Sequence, residues 1–163
     1  MSRAFVSEDR GPELHHVAAR AVIPPGAPNW VTPRGLRLLQ EESEYLNTEL
    51  RHEEDKAKKS ALQQRLAELD QRLASAKIID LTSNPPEEIR FGATVKLLSQ
   101  GEESVIKLVG ADESDLSTGL ISIHSPLAKA LLGKRPGQTL NLNTDDGGEI
   151  STVILDVTYM EVT

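Results

Sequence analysis

Two short leucine seams, separated by a stretch with no large apolar side chain, constrain this chain more than any other feature. Leucines stand at 36, 39, 46 and 50, with Ser43 in the missing seam position. A second series runs Leu62, Leu66, Leu69, Leu73 and Ala76. Steps of three, four and seven gather apolar side chains along one stripe of a helix. From Arg51 to Ser60 nothing apolar is larger than Ala57, so the stripe is interrupted midway. Neither seam is long enough for a stable two-chain coiled coil, whereas one chain folding back on itself buries both. The spacing predicts an antiparallel helical hairpin over residues 32–76, with Thr32 as N-cap and Pro33 as the first helical residue. Its turn falls at His52, Glu53, Glu54 and Asp55, just before Lys56, Lys58 and Lys59. No glycine or proline marks that turn, so a continuous helix is the alternative. Helices of about 20 residues would project an arm of about 30 Å.

Beyond the break at Asn84-Pro85-Pro86 the period changes from helix to strand. Phe91 to Leu97 and Val105 to Val109 alternate across a turn at Gln100-Gly101, and Leu120 to Ile123 is a third strand. Ser125-Pro126 repeats the cap-and-proline start of a helix, and Leu127 to Leu132 runs to a stop at Gly133. Thr139 to Asn143 and Glu149 to Tyr159 pair across Asp145-Asp146-Gly147-Gly148, with Val153, Leu155, Val157 and Tyr159 on the core face. Residues 77–163 therefore read as an α+β domain, a small antiparallel sheet of about five strands with one short helix. Residues 1–31 show no period and hold three prolines between positions 24 and 28. They read as a flexible arm, disordered up to Trp30, which either staples the helix start or anchors the arm elsewhere.

Composition excludes several kinds of chemistry. Without cysteine there is no disulfide scaffold, thiolate metal site or cysteine nucleophile. No apolar run approaches the roughly 18 residues of a membrane span, and the start lacks the apolar core of a signal peptide, so a cytoplasmic protein is expected. Aromatic residues are only 3% of the chain, so a pocket would have to be aliphatic and polar. The net charge of −7 argues against tight, unassisted binding to nucleic acid. Residues 77–163 carry seven basic and thirteen acidic groups, against three and three in 1–32 and eight and nine in 33–76. A partner of the C-terminal half is therefore basic or apolar.

There is no phosphate-binding glycine loop, no nucleophile elbow and no helical histidine pair at metal-ligand spacing. His15 and His16 read as solvated residues of the arm, and His124 as a turn or surface residue rather than a base. The clustered tip carboxylates have two readings: oxygen ligands for a shared Mg²⁺, or side chains favoured by the dipole of a helix start. Lys56, Lys58 and Lys59 are either phosphate contacts or a solvated face.

Longer stretches of the C-terminal half resemble a known family. Ile79-Asp80-Leu81, Phe91-Gly92-Ala93-Thr94-Val95, Leu108-Val109-Gly110-Ala111-Asp112-Glu113 and the run from Ile121 to Lys134, followed by Pro136-Gly137, are similar to the C-terminal domain of the bacterial transcription elongation factors GreA and GreB. Thr32-Pro33-Arg34-Gly35-Leu36 with Leu39 resembles the start of that family's coiled coil. The resemblance spans about residues 31–161. It implies an FKBP-like fold for residues 77–163, and a non-catalytic cofactor of RNA polymerase with no cofactor of its own. That domain would dock at the rim of the enzyme's secondary channel, while the coiled coil enters and offers acidic residues to the polymerase's Mg²⁺, stimulating cleavage of backtracked transcripts. Nucleic acid would be contacted only indirectly, by a monomer away from membranes. Asp112, Ser125, Pro126 and Leu127 lie in matching motifs and are the docking candidates. Glu53, Glu54 and Asp55 correspond to the acidic tip by position only. The family's tip signature, an Asp followed three residues later by Glu-Asn-Ala, is not present, and the stretch from Thr32 to Asp80 is shorter than in longer-armed members. The alternatives are a channel-occupying regulator without cleavage, a general coiled-coil interaction module, and a prolyl isomerase, for which only Phe91 and Tyr159 supply aromatics in this half.

Overall fold

The computed structural model describes residues 20–160, so the arm's first part, with His15 and His16, lies outside the described residues. Strand β1 (Asn29–Val31) leads into helix α1 (Pro33–His52), which a three-residue link joins to α2 (Lys56–Ser75). Thr32 caps α1, its Oγ1 accepting from the Gly35 amide at 2.9 Å, and Pro33 follows at the position where a missing N–H costs nothing. Leu39, Leu46, Leu62 and Leu69 are buried between the helices, with Leu36, Leu50, Leu66 and Leu73 packed around them. Each fully buried leucine contributes about 1.5–3 kcal/mol. The hairpin is thus held by its seam, and the continuous-helix alternative fails because Glu53 and Asp55 both adopt extended backbone.

Strand β2 (Ala76–Ile78) leaves α2 and runs parallel to β1, pairing Asn29 with Ala76 and Val31 with Ile78. The flexible-arm expectation is therefore wrong for residues 29–31. Pairing with β2 satisfies backbone groups that no local sequence period announces. Trp30 and Val31 point to opposite sides of β1, as strand neighbours must. Val31 enters the hairpin core and Trp30 packs on the sheet core, edge-on to Phe91 at 5.8 Å.

The C-terminal sheet comprises β3 (Thr94–Ser99), β4 (Glu102–Val109), β5 (Leu120–Ser122), β6 (Thr139–Asn143) and β7 (Glu149–Thr158), in the order β5-β4-β3-β7-β6. Helix α3 (Pro126–Leu131) seats Ala128 and Leu131 in the core beside Ile89, Leu108 and Ile154. Two expectations need correction. The sheet is mixed, because β5 lies parallel to β4, with Lys107 opposite Leu120. The connection between them passes through short 3-10 turns at Ala111–Glu113 and Leu116–Thr118, which carry the chain back to start β5 in the same direction.

The core face of β7 is also not the expected one. Thr152 and Ile154 are fully buried, whereas Leu155 is 36% exposed. The register against β3 shifts between Lys96, opposite Asp156, and Leu97, opposite Ile154. Leu155 is the extra residue of a β-bulge, which reverses the inward phase so that Val157 and Tyr159 return to the core. The buried Thr152 hydroxyl is satisfied by Ser99 Oγ at 2.6 Å.

Candidate functional site

The tip is a three-residue turn built by its own acids. Asp55 is the N-cap of α2, one oxygen accepting from the amides of Ala57 at 2.9 Å and Lys58 at 3.0 Å. Glu53 Oε1 accepts from the Asp55 amide at 2.8 Å. The amide of Lys58, ahead of that of Ala57, holds the Asp55 carboxyl below the usual carboxylate range despite some opposing desolvation. Glu53 and Asp55 thus each spend one oxygen on the turn, and among the described residues the Glu54 carboxylate makes no hydrogen bond. No three carboxylates or histidines among the described residues are gathered as a metal site. Each helix has 20 residues, which sets the turn about 30 Å from the base of the arm.

The docking candidates divide into two groups. Ser125 Oγ accepts from the Ala128 amide at 3.2 Å, capping α3. Pro126 is exposed in the first turn, and Leu127 is half-buried against the sheet core. This start of α3 presents a small apolar surface on a rigid support. Asp112, in contrast, turns inward. Its carboxylate takes Arg20 at 3.1 Å and faces Arg72 at 3.7 Å, with 9% of the side chain exposed. Its role is internal: it ties the 3-10 turn to α2 and to the segment before β1. His124 lies between the two groups. Burial, then the positive charges of Lys129 and Arg72, push its pKa down.

The joint between arm and sheet contains residues that sequence reasoning missed. Glu113 is buried, accepting from the Thr32 hydroxyl and, at 2.9 Å, from Arg34. Thr32 therefore caps α1 and joins it to the 3-10 turn with one side chain. The approach is close enough to require glycine twice. A Cβ on Gly35 would stand 2.8 Å from Glu113 Oε1, and one on Gly110 2.4 Å from the Trp30 carbonyl oxygen. Arg20 bridges Glu42 on α1, at 2.7 Å, and Asp112. The signals available were Thr32 as a cap and Glu113 beside Asp112; for Arg20 there was none, since both partners are remote in sequence.

Residues 84–159 match the family described as "Transcription elongation factor, GreA/GreB, C-term". Over 97 residues the chain is 41% identical to the transcription elongation factor GreA of Beijerinckia indica subsp. indica, covering 58% of this chain and 61% of that protein. Over 98 residues it is 40% identical to GreA of Bartonella henselae, covering 59% and 62%. These matches thus span less than two thirds of either relative. Among solved structures, a GreA/GreB elongation factor from Nitrosomonas europaea aligns at 25% identity and TM-score 0.43, over 80% of this chain and 98% of that one. Gfh1 of Thermus thermophilus aligns at 24% and 0.39, over 80% and 99%.

Proposed function

We propose, from the match of residues 84–159 to the GreA/GreB C-terminal family and the 41% identity to a GreA over 97 residues, that the chain is a GreA/GreB-type, non-catalytic cofactor of bacterial RNA polymerase, docking through its C-terminal domain and inserting its helical arm into the secondary channel. The observation that carries this reading is the arm itself: two helices of 20 residues, closed by an acidic turn and tied at their base to the matched domain. A rigid arm fixed to a docking domain delivers its tip to one place relative to the docking surface. In this reading the protein works in the cytoplasm as a monomer and meets nucleic acid only through the polymerase.

The chain's own residues divide the work. Pro126 and Leu127 offer apolar contact, set by the Ser125 cap, and the acidity of residues 77–163 favours a basic rim. At the far end the donor set is all carboxylate oxygen, the chemistry a hard divalent cation takes. Glu53 and Asp55 each keep one oxygen clear of the turn, and Glu54 keeps two. Such a cation in the polymerase supplies an activated water for phosphodiester hydrolysis. The tip's part is to add negative charge and oxygen beside it.

A second reading, occupation of the channel without stimulated cleavage, is favoured by the use of Glu53 and Asp55 as capping groups. A transcript-cleavage assay on backtracked complexes separates the two. Shortened transcripts on addition of the protein support the first. Retention on core polymerase with slowed elongation and no shortening supports the second. Failure to be retained on core polymerase refutes both.

A further inference from the structure

We propose that residues 20–28, with β1, form a latch whose seated Arg20 fixes the angle between the helical arm and the C-terminal sheet, and which opens without unfolding either. Arg20 is a single side chain in contact with both bodies. One guanidinium nitrogen binds Glu42 on α1 at 2.7 Å and another binds Asp112 on the 3-10 turn at 3.1 Å, and only 9% of the side chain is exposed. The segment that brings it there is also held. Arg72 donates to the Ala21 carbonyl, and Asn29 donates to the Arg72 carbonyl at 2.9 Å.

Two features make this a latch rather than a permanent tie. Glu42 also pairs with Arg65, at 2.8 Å, and Asp112 also faces Arg72, at 3.7 Å. Withdrawing Arg20 therefore leaves each acid beside a cation, and avoids the large penalty of a buried, unpaired charge. Arg20 is the third cation around two anions. The seated state also leaves buried polar groups, three donors and one acceptor, without hydrogen bonds. Arg20 Nε, one terminal nitrogen each of Arg65 and Arg72, and Asp112 Oδ2 are buried with no hydrogen-bond partner. Such groups weigh against the state that contains them, so the closed joint is poised. When Arg20 leaves, the remaining polar ties lie at the base of the arm, Thr32–Glu113 and Arg34–Glu113 at the start of α1 and Arg72 facing Asp112 at 3.7 Å near the end of α2, and none reaches Glu42 in mid-helix.

The inference concerns the free protein and stands whether or not it binds polymerase. The chain has no cysteine, so spin labels at Lys59→Cys near the tip and Asp145→Cys in the β6–β7 turn report one distance. Pulsed electron resonance on the full chain should give one narrow distance distribution. Arg20→Ala, and deletion of residues 1–28, should broaden it and add a second distance, with far-UV circular dichroism unchanged. Arg20→Lys should restore part of the narrow component. Deletion of residues 1–19 should leave the distribution as it was. Glu42→Gln, which spares Arg20 and Asp112, should broaden it too, and combining it with Arg20→Ala should add nothing further. An unchanged narrow distribution in folded Arg20→Ala overturns the proposal. So does broadening on deletion of 1–19 equal to that of 1–28, or full additivity in the double variant.

Discussion

Glu113→Ala tests whether the joint is held by the contacts that define it. The Glu113 side chain is 3% exposed, and its two oxygens take the Thr32 hydroxyl and the Arg34 guanidinium. A hydrogen bond to a charged group is worth about 1.5–3 kcal/mol. The two do not simply add here. Arg34 is 31% exposed and recovers water when its partner goes, and Thr32 keeps its capping bond to the Gly35 amide. Truncation also opens a small void beneath Gly35. The expected loss is about 2–4 kcal/mol, smaller than for breaking a fully buried pair. Urea unfolding of the full chain, followed by circular dichroism, measures it. Glu113→Gln keeps the shape and should cost less. Crossing Glu113→Ala with Arg34→Ala should give a coupling of about 1 kcal/mol. A loss below about 0.5 kcal/mol with no coupling would mean that Trp30 and the β1–β2 pairing hold the joint instead, and the account of Glu113 would be wrong.

Three further outcomes follow from the site. Pro126→Glu with Leu127→Glu should weaken competition for core polymerase at least about tenfold, or about 1.4 kcal/mol, and binding of the folded variant at wild-type strength would move the docking surface elsewhere. At the tip, if the protein stimulates cleavage as proposed, Glu54→Ala should reduce that stimulation in part, because water replaces one lost oxygen on a hard cation; the triple variant of Glu53, Glu54 and Asp55 to alanine should abolish it while retention on core polymerase persists. His124, whose folded pKa lies below its ordinary value of 6.5, favours the neutral form, so its contribution to stability is full above 6.5 and is lost as pH falls through the lowered folded value; melting temperatures across that range should fall less steeply for His124→Asn than for the wild type.

How far the sequence could be read depended on how local each cause is. The hairpin was legible because Thr32-Pro33 and the leucine seams act within a few turns. Its turn was half-legible: the apolar gap located it, but an Asp within an acidic run does not by itself stop a helix, and only the extended backbone at Glu53 and Asp55, with Asp55 accepting from the amides of residues 57 and 58, shows the break. The bulge was hidden because Val153, Leu155 and Val157 alternate without a break; only the β3 register shows that Leu155 is an insertion and Ile154 the core residue. The parallel β5 was hidden for a related reason, since strand period says nothing of direction.

The joint was the least legible part, and it is where the helical arm and the C-terminal sheet meet. Asp112 lies in a motif that resembles a docking surface, yet its carboxylate faces Arg20 and Arg72. Glu113, one residue on, takes the cap of α1. Neighbouring acids on one 3-10 turn thus hold different elements, one through ion pairs to α2 and the segment before β1, the other through the helix start. The same turn leads into β5, and β5 leads through His124 to the Ser125 cap of α3. The arm's base and α3 are therefore connected through about a dozen residues of one chain segment.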